Sequence, residues 1–226
     1  MVEIKRERVR AFPSPGGEGW GEGLKAMKLL VASNNQGKVR EYAQLLEGLD
    51  LELVTLAEVG IATSVAETGA TFEENAILKA TAYAQASGLL TLADDSGLEV
   101  DALGGEPGVR AARYAGESAT DPQRIAFLLS KLEGVPPEKR TARFRCVIAI
   151  ASPEGRVELA EGSCEGVIAL ESKGELGFGY DPVFFFPELG QTLAELPLAE
   201  KNRISHRGRA AAKARAILKT LLSWRG

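Results

Sequence analysis

Two adjacent carboxylates, Asp94 and Asp95, follow a continuous apolar run and precede the hydroxyl of Ser96. Carboxylate oxygens are the ligands that a hard divalent cation prefers, so this pattern can hold such a cation together with phosphate oxygens. The alternative is an Asp-rich turn, in which an aspartate side chain bonds its own backbone. Glu67 is a possible second metal ligand from an earlier loop, although a single exposed glutamate is usually only solvated.

A polar loop between a predicted strand and a predicted helix is suited to an anion. Free backbone N–H groups and the helix dipole favour negative charge at such a position, and a lysine at the end of the loop adds a full positive charge. The P-loop pattern is absent, so an ordinary polar turn with an Asn cap is equally compatible. The loop comprises Ser33, Asn34, Asn35, Gln36, Gly37 and Lys38.

A second lysine, Lys79, is predicted on the next helix, near the face of Phe72 and Ala76. It could contact a phosphate. The alternative is a lysine whose stem lies along the side of its helix while the amine stays in water.

The segment GFGYDP contains Phe178, Gly179, Tyr180 and Asp181. Glycines on either side can hold an aromatic ring open in a loop, where it could stack on a nucleobase. Aromatic residues beside glycine pack into a core more often than they bind bases. The following apolar residues predict a core strand.

The segment EKNRISHRGR brings Lys201, His206 and Arg207 together just before a predicted helix. Their N–H groups are suited to carbonyl and phosphate oxygens. The alternative is that they only decorate the start of the helix. Cations at that position oppose the helix dipole, so ligand contact is a reason for their presence.

The elements that must position these residues alternate between strand and helix. Apolar runs predict strands at 28–32, 51–55 and 89–93, and a hairpin of strands 143–151 and 156–170 around the turn 152–155. Helical spacing predicts helices at 39–46, from a capping box at Thr71 and Glu74 to Gly88, from Asp121 as N-cap to Leu132, and at 205–222. This order predicts an α/β fold with a mixed sheet and flanking helices.

The amino-acid composition argues against a nucleic-acid-binding protein and against a membrane protein. The chain has 226 residues, and its 27 Lys and Arg against 31 Asp and Glu give a net charge of −4, which disfavours a nucleic-acid partner. No apolar run is long enough for a transmembrane helix, and no signal core follows the N-terminus, so we expect no membrane partner and a cytoplasmic location. Cys146 and Cys164 have no metal-ligand spacing and are expected to be buried, reduced thiols.

The first 26 residues are charged and then rich in Pro, Gly and Glu, without a sustained apolar period. We expect residues 1–26 to be a disordered extension, and residues 27–226 to be a single domain. Met27 immediately precedes the first predicted strand, so translation starting at Met27 is a hypothesis that N-terminal mass spectrometry of the native protein would test.

Five ordered segments closely resemble the inosine triphosphate pyrophosphatase family. They are SNNQGKVRE, ETGATFEENAILKA, ADDSGLEVDALGGEPGVRAARYAG, GFGYDPVFF and AEKNRISHRGRA. The resemblance implies an elongated mixed α/β fold with two lobes around a central cleft, and a homodimer. It also implies Mg²⁺-dependent hydrolysis of deaminated purine nucleoside triphosphates (ITP, dITP and XTP) to the monophosphate and pyrophosphate.

The resemblance assigns roles to the residues introduced above. The loop from Ser33 to Lys38, with Lys79, would bind the triphosphate, although the family often has Gly where this chain has Asn34. Glu67 and Asp95 would hold the metal, and the match at Glu67 is the loosest. Asp95 would accept the proton of the attacking water, with Asp94 as an open alternative, and Ser96 would adjoin the substrate. Base recognition would fall to Phe178, Gly179, Tyr180, Asp181, Lys201, His206 and Arg207.

Two other functions are compatible with parts of this pattern. One is a related pyrophosphatase with another base preference, against which the SHR segment and the GFGYD loop argue. The other is a catalytically silent nucleotide-binding module, which would have no use for Glu67, Asp94 and Asp95.

Overall fold

The computed structural model describes residues 26–223, so the predicted extension 1–26 lies outside the described residues except for Ala26. A single seven-stranded sheet runs in the order β2-β1-β3-β4-β5-β6-β7. The strands are β1 (Met27–Val31), β2 (Leu51–Thr55), β3 (Leu90–Val100), β4 (Thr141–Ala151), β5 (Val157–Ile168), β6 (Phe184–Phe186) and β7 (Gln191–Thr192). β1 is parallel to β2 and β3, whereas the other neighbours are antiparallel, which confirms the predicted mixed sheet.

Five α-helices flank this sheet: α1 (Gln36–Leu45), α2 (Phe72–Ser87), α3 (Asp121–Lys131), α4 (Leu198–Ile204) and α5 (His206–Ser223). α1 and α5 pack on one face of the sheet, and α2 packs on the other. A separate apolar cluster around α3 surrounds the far ends of β3, β4 and β5 and includes β6. The three long strands therefore join two lobes.

β3 is longer than predicted, because it continues through the polar residues to Val100. Asp94 and Asp95 lie in the middle of the strand and pair with Ile148 and Val147 of β4. The prediction that the strand ends before the carboxylates was wrong, and so was the Asp-rich turn. The antiparallel partner β4 supplies hydrogen-bond partners for the backbone of β3 across this polar stretch. The strand therefore continues although its side chains are no longer apolar.

The start of α3 also differs from the prediction. The N-cap is Thr120, not Asp121: its hydroxyl accepts from the Gln123 N–H, and the Gln123 side chain accepts from the Thr120 N–H. This reciprocal pair leaves the carboxylate of Asp121 free for contacts elsewhere. The predicted start of α2, the 152–155 hairpin turn and the C-terminal helix are confirmed, whereas the short helix α4 was not predicted.

Neither free cysteine is exposed. Within residues 26–223, no helix is both long and apolar enough to cross a membrane.

Candidate functional site

A cavity of about 140 Å³ opens between the two lobes, and it gathers most of the predicted site residues. These are Asn35, Lys38, Glu67, Asp95, Ser96, Phe178, Gly179, Tyr180, Asp181, Lys201, His206 and Arg207. Ser33, Asn34, Gln36, Gly37 and Lys79 do not line it. A larger groove of about 670 Å³, lined in part by Glu73 and Arg145, contains none of the predicted site residues, so the chemistry points to the smaller cavity.

In the polar loop before α1, side chains of the loop accept hydrogen bonds from its own backbone N–H groups. Asn35 is the N-cap of α1, and its side-chain oxygen accepts from the N–H groups of Gly37 (2.8 Å) and Lys38 (3.2 Å). The Ser33 hydroxyl accepts from the Asn35 N–H, and Asn34 and Gln36 are exposed. The backbone of the loop therefore forms the Asn cap of a helix, as the alternative predicted. The positive charge that the loop offers to a ligand comes from the side chain of Lys38.

Asp94 is enclosed by cations that favour its charged form. Lys38 Nζ lies 2.9 Å and Arg207 Nη2 lies 3.3 Å from the same carboxylate oxygen, and the Cys146 thiol donates to it at 3.7 Å. Burial alone would raise the pKa of Asp94, but the charges of Lys38 and Arg207 outweigh burial and hold this pKa well below its ordinary value. Only 1% of the Asp94 side chain is exposed, and Asp94 does not line the cavity. Its carboxylate holds the side chains of Lys38 and Arg207 in place.

Asp95 has the opposite electrostatic environment. Asn75 Nδ2 donates to its Oδ2 at 3.0 Å, and the Ser96 N–H donates to its Oδ1. Burial, with the nearby negative charge of Glu67, raises the pKa of Asp95 in spite of Lys79. A cavity-facing carboxylate with increased proton affinity is suited to accept a proton, which favours Asp95 over Asp94 for that role.

Lys79 bridges the two candidate metal ligands. Its amine lies 2.5 Å from Glu67 Oε1 and 3.6 Å from Asp95 Oδ1, and Arg113 contacts the other Glu67 oxygen at 3.5 Å. Burial would lower the pKa of Lys79, but the surrounding carboxylates raise it. The alternative of a lysine reaching into solvent was wrong, because only 12% of this side chain is exposed.

The donors at this point fit a magnesium ion. Burial is the main reason that the pKa of Asp95 is raised, and the negative charge of Glu67 adds to it, so a hard cation held by the two carboxylates would offset the charge that they bring together. No cluster of three or more His, Cys, Asp or Glu side chains suited to a metal occurs in residues 26–223. Magnesium commonly takes one or two carboxylates and completes its shell with waters and substrate phosphates, so two carboxylates suffice.

A buried acid that the sequence analysis missed holds the cations beneath the other side of the cavity. Glu41 Oε1 lies 2.7 Å from Lys201 Nζ, and Oε2 lies 2.5 Å from Arg207 Nη1. Asp181 Oδ2 also contacts Lys201, at 2.5 Å. The i, i+3 spacing of Lys38 and Glu41 on α1 would have suggested a pair between these two residues, but Lys38 pairs with Asp94 instead, so no local signal identifies the role of Glu41.

The two aromatic rings of the GFGYDP segment have different environments. Tyr180 is 4% exposed and donates its hydroxyl to the carbonyl of Ala111 at 2.9 Å, so its ring belongs to the core. Phe178 is only partly buried, with Lys201 Nζ 4.6 Å and the Arg207 guanidinium 5.6 Å from its ring centre. Phe178 is therefore the ring available to a planar base.

Asp121, at the start of α3, fixes the backbone of the same segment. Its Oδ2 accepts from the Gly179 N–H at 2.7 Å, and Asp181 Oδ2 accepts from the Phe178 N–H at 2.8 Å. Asp121 was predicted only as a helix cap, so its contact with the GFGYDP segment was not identified from the sequence.

His206 and Arg207 are buried, so they do not merely decorate the start of α5. The imidazole of His206 stacks on the ring of Phe144, with 4.6 Å between ring centres and 14° between planes. Burial, aided by the charges of Arg207 and Lys201, lowers the pKa of His206 well below 6.5 and keeps the ring neutral. Arg207 is committed through Nη1 to Glu41 and through Nη2 to Asp94 and Ser96.

Residues 29–217 match the Ham1 family. The chain belongs to the Ham1 family. A protein of Desulforamulus reducens named dITP/XTP pyrophosphatase is 60% identical over 86% of this chain and 97% of its own length. The Bacillus subtilis protein of the same name is 49% identical over 84% and 96%, respectively. The family resemblance drawn from the sequence is confirmed.

Solved Ham1 structures support the fold. A HAM1 protein from Coxiella burnetii superposes with a TM-score of 0.78 at 42% identity and covers 86% of this chain and 99% of that one. The Staphylococcus aureus Ham1 protein gives a TM-score of 0.76 at 44% identity, with coverage of 85% and 98%. The chain therefore shares the Ham1 fold over nearly all of its described residues.

Proposed function

We propose that this chain is a magnesium-dependent nucleoside triphosphate pyrophosphatase that hydrolyses ITP, dITP and XTP to the monophosphate and pyrophosphate. The observation that carries the proposal is the different placement of two adjacent carboxylates, since Asp94 is enclosed by Lys38 and Arg207 whereas Asp95 lines the cavity together with Glu67. The names of the dITP/XTP pyrophosphatases that it resembles support the same substrates.

The phosphate side of the cavity is assigned to Lys38, Glu67 and Asp95, with Lys79 held against the two carboxylates just outside the cavity lining. In the free protein the two lysines neutralise carboxylates, and on binding they are available to exchange part of these contacts for phosphate oxygens. Magnesium, when held by Glu67 and Asp95, would neutralise charge on the pyrophosphate leaving group. Asp95 would accept the proton of the water that attacks the α-phosphorus.

The base side is assigned to Phe178, His206 and Arg207, with Lys201 and Asp181 beneath them. The Phe178 ring would stack on the purine. Hypoxanthine and xanthine carry a 6-oxo oxygen that can accept from a neutral histidine N–H, whereas the 6-amino group of adenine cannot. An unpaired buried donor costs roughly 1 to 3 kcal/mol, which gives a preference for the oxo bases over adenine.

We further propose that the enzyme is a homodimer, as the family resemblance implies. We also propose that it acts in the cytoplasm, where free cysteines such as Cys146 and Cys164 stay reduced. Sedimentation equilibrium would test the oligomeric state, and a monomer over the whole concentration range would contradict it. Cell fractionation with an antibody against the native protein would test the compartment.

A pyrophosphate-release assay tests the activity. ITP, dITP, XTP, ATP and GTP are compared with and without magnesium, for wild type and for Glu67→Gln. We expect metal-dependent release from the first three substrates, and loss of the metal dependence and most of the rate in the variant. If ATP and GTP are cleaved as fast as ITP and XTP, the substrate assignment is wrong. If no substrate is cleaved, the chain is a silent nucleotide-binding module.

A further inference from the structure

The fully buried thiol of Cys164 lies against His206, the only histidine in the sequence. Sγ is 3.9 Å from Nδ1 of the imidazole. Cys164 on β5 is the register partner of Phe144 on β4, whose ring stacks on the same imidazole. One face and one edge of the His206 ring are therefore fixed by two adjacent strands.

The approach of α5 to β5 depends on a neighbouring glycine. A β-carbon at Gly162 would lie 2.4 Å from the backbone oxygen of His206 and 2.4 Å from the backbone nitrogen of Ala210. Without a side chain at this position, the start of α5 can lie directly on the strand. The sequence thereby places the imidazole edge within reach of the thiol two residues further along.

The protonation states of Cys164 and His206 indicate which of the two groups donates the hydrogen in this contact. Burial raises the pKa of the Cys164 thiol to about 11, so the sulfur keeps its hydrogen at neutral pH. The imidazole is neutral, because it is buried and faces the cations Arg207, Lys201 and Lys38, whose effect outweighs the opposing charge of Asp94. A neutral imidazole has one donor and one acceptor nitrogen, and a thiol beside Nδ1 can donate to it.

We infer that Cys164 is a positioning residue that fixes His206 in the tautomer with hydrogen on Nε2, and so presents a neutral N–H donor to the cavity between the lobes. The contact with Cys164 occupies Nδ1, and His206 lines the cavity. The donor is thus left for a ligand acceptor. The reverse tautomer would turn an acceptor toward the ligand.

The consequence for specificity rests on the proposed function. An Nε2–H donor pairs with the 6-oxo oxygen of hypoxanthine or xanthine, whereas an Nε2 lone pair would pair with the 6-amino group of adenine. Loss of tautomer control would therefore weaken ITP binding and reduce the preference over ATP. A merely structural role of Cys164 would lower the turnover of both nucleotides alike.

The direct test is heteronuclear NMR on the full chain with isotope-labelled histidine. Because the sequence has a single histidine, both ring nitrogens are assigned without ambiguity. We expect wild type to show only the Nε2–H tautomer at neutral pH. We expect Cys164→Ala, which lacks a donor, to show a mixture that includes Nδ1–H, and Cys164→Ser, which keeps a donor, to return toward the wild-type pattern.

The same variants are then assayed with ITP and ATP. For Cys164→Ala we expect kcat/KM for ITP to fall about tenfold, with little change for ATP, since a buried donor is lost from the complex. Cys164→Ser should recover most of the ITP activity. The control is Ile168→Val, which removes a methyl group from the same apolar cluster and should leave the ratio of ITP to ATP unchanged.

A wild-type spectrum with Nδ1–H or an imidazolium overturns the inference, and this holds even if the alanine variant fails to fold. A pure Nε2–H pattern in Cys164→Ala also overturns it, because the thiol would then not set the tautomer. If wild type cleaves neither ITP nor XTP, the proposed function fails, while the spectra still decide the role of Cys164.

Discussion

Gly37, in the first turn of α1, lies directly against the ring of Phe178. A β-carbon at position 37 would be 2.5 Å from Cδ1 and 2.8 Å from Cε1 of that ring. The loop assigned to the triphosphate and the ring assigned to the base are therefore in contact. A change in one of them must displace the other.

We expect Gly37→Ala to push the Phe178 ring out of position and to lower kcat/KM for ITP about tenfold, mainly through KM. The fold should be retained, because alanine is favourable in a helix. Steady-state kinetics with ITP measure the effect.

The control for this substitution is a double-mutant cycle with Phe178→Leu. Leucine removes the ring edge that the new methyl group meets, so the double variant should be no worse than Phe178→Leu alone. Additive losses in the cycle would show that Gly37 acts independently of Phe178.

Asp94 and Asp95 should respond differently to the same isosteric change. Asp95→Asn should abolish most of the turnover while leaving the unfolding midpoint in urea close to wild type. Asp94→Asn removes the buried counter-charge of Lys38 and one of the two buried counter-charges of Arg207, so it should lower the free energy of unfolding by roughly 3 kcal/mol. A fully stable Asp94→Asn variant that has lost only kcat would reverse the assigned roles.

Glu41 should be as important for stability as for binding. Glu41→Gln removes the charge shared by Lys201 and Arg207, and we expect a loss of roughly 3 kcal/mol in the free energy of unfolding together with weaker nucleotide binding. Urea unfolding and a nucleotide-binding titration measure the two effects. Glu47→Gln, at an exposed carboxylate just after the same helix, is the matched control and should match wild type in both.

Lys79 competes with a metal ion for Glu67 and Asp95. Lys79→Met should therefore tighten magnesium binding to the free protein, because the two carboxylates lose their bridging cation, while it lowers kcat/KM through the lost phosphate contact. Calorimetric titration with magnesium and the release assay measure these opposite changes. Weaker magnesium binding in the variant would contradict the assignment of the two carboxylates.

The pH dependence of stability should reveal the neutral His206. Its pKa in the folded chain lies well below 6.5, so below about pH 6.5 the unfolded state binds a proton that the folded state does not. Stability contributed by this residue is therefore present above that pH and lost as the pH falls, by about 1.4 kcal/mol per pH unit at most. The difference in unfolding free energy between wild type and His206→Gln should show this slope, and a pH-independent difference would contradict it.

The sequence predicted the regular elements well because their signals are local. The capping residue Thr71, the αL glycine Gly88 and the hairpin turn each act within a few residues. The mixed sheet was predicted from the order of the elements, and the roles of the site residues came mainly from the resemblance, whereas the order of the strands was not predicted. The end of β3 was mispredicted because the apolar run stops at Ala93, whereas the strand is completed by β4, some 50 residues later in the chain.

The partners of the buried charges could not be predicted from local patterns. Glu41 neutralises Lys201 and Arg207, which are about 160 positions away, and nothing in the neighbourhood of α1 indicates that pairing. Likewise, the composition of GFGYDP does not tell which ring packs inward. The contact of the Tyr180 hydroxyl with the Ala111 carbonyl decides it, and Ala111 lies 69 positions earlier in the chain.

The central claim is that a water molecule attacks the α-phosphorus of a deaminated purine nucleotide and releases pyrophosphate. Hydrolysis of XTP in isotopically labelled water, with magnesium and followed by mass spectrometry of both products, tests it most directly. We expect labelled oxygen in the monophosphate, unlabelled pyrophosphate, and almost no product with Asp95→Asn. Release of orthophosphate with a nucleoside diphosphate, or labelled pyrophosphate, would contradict the account.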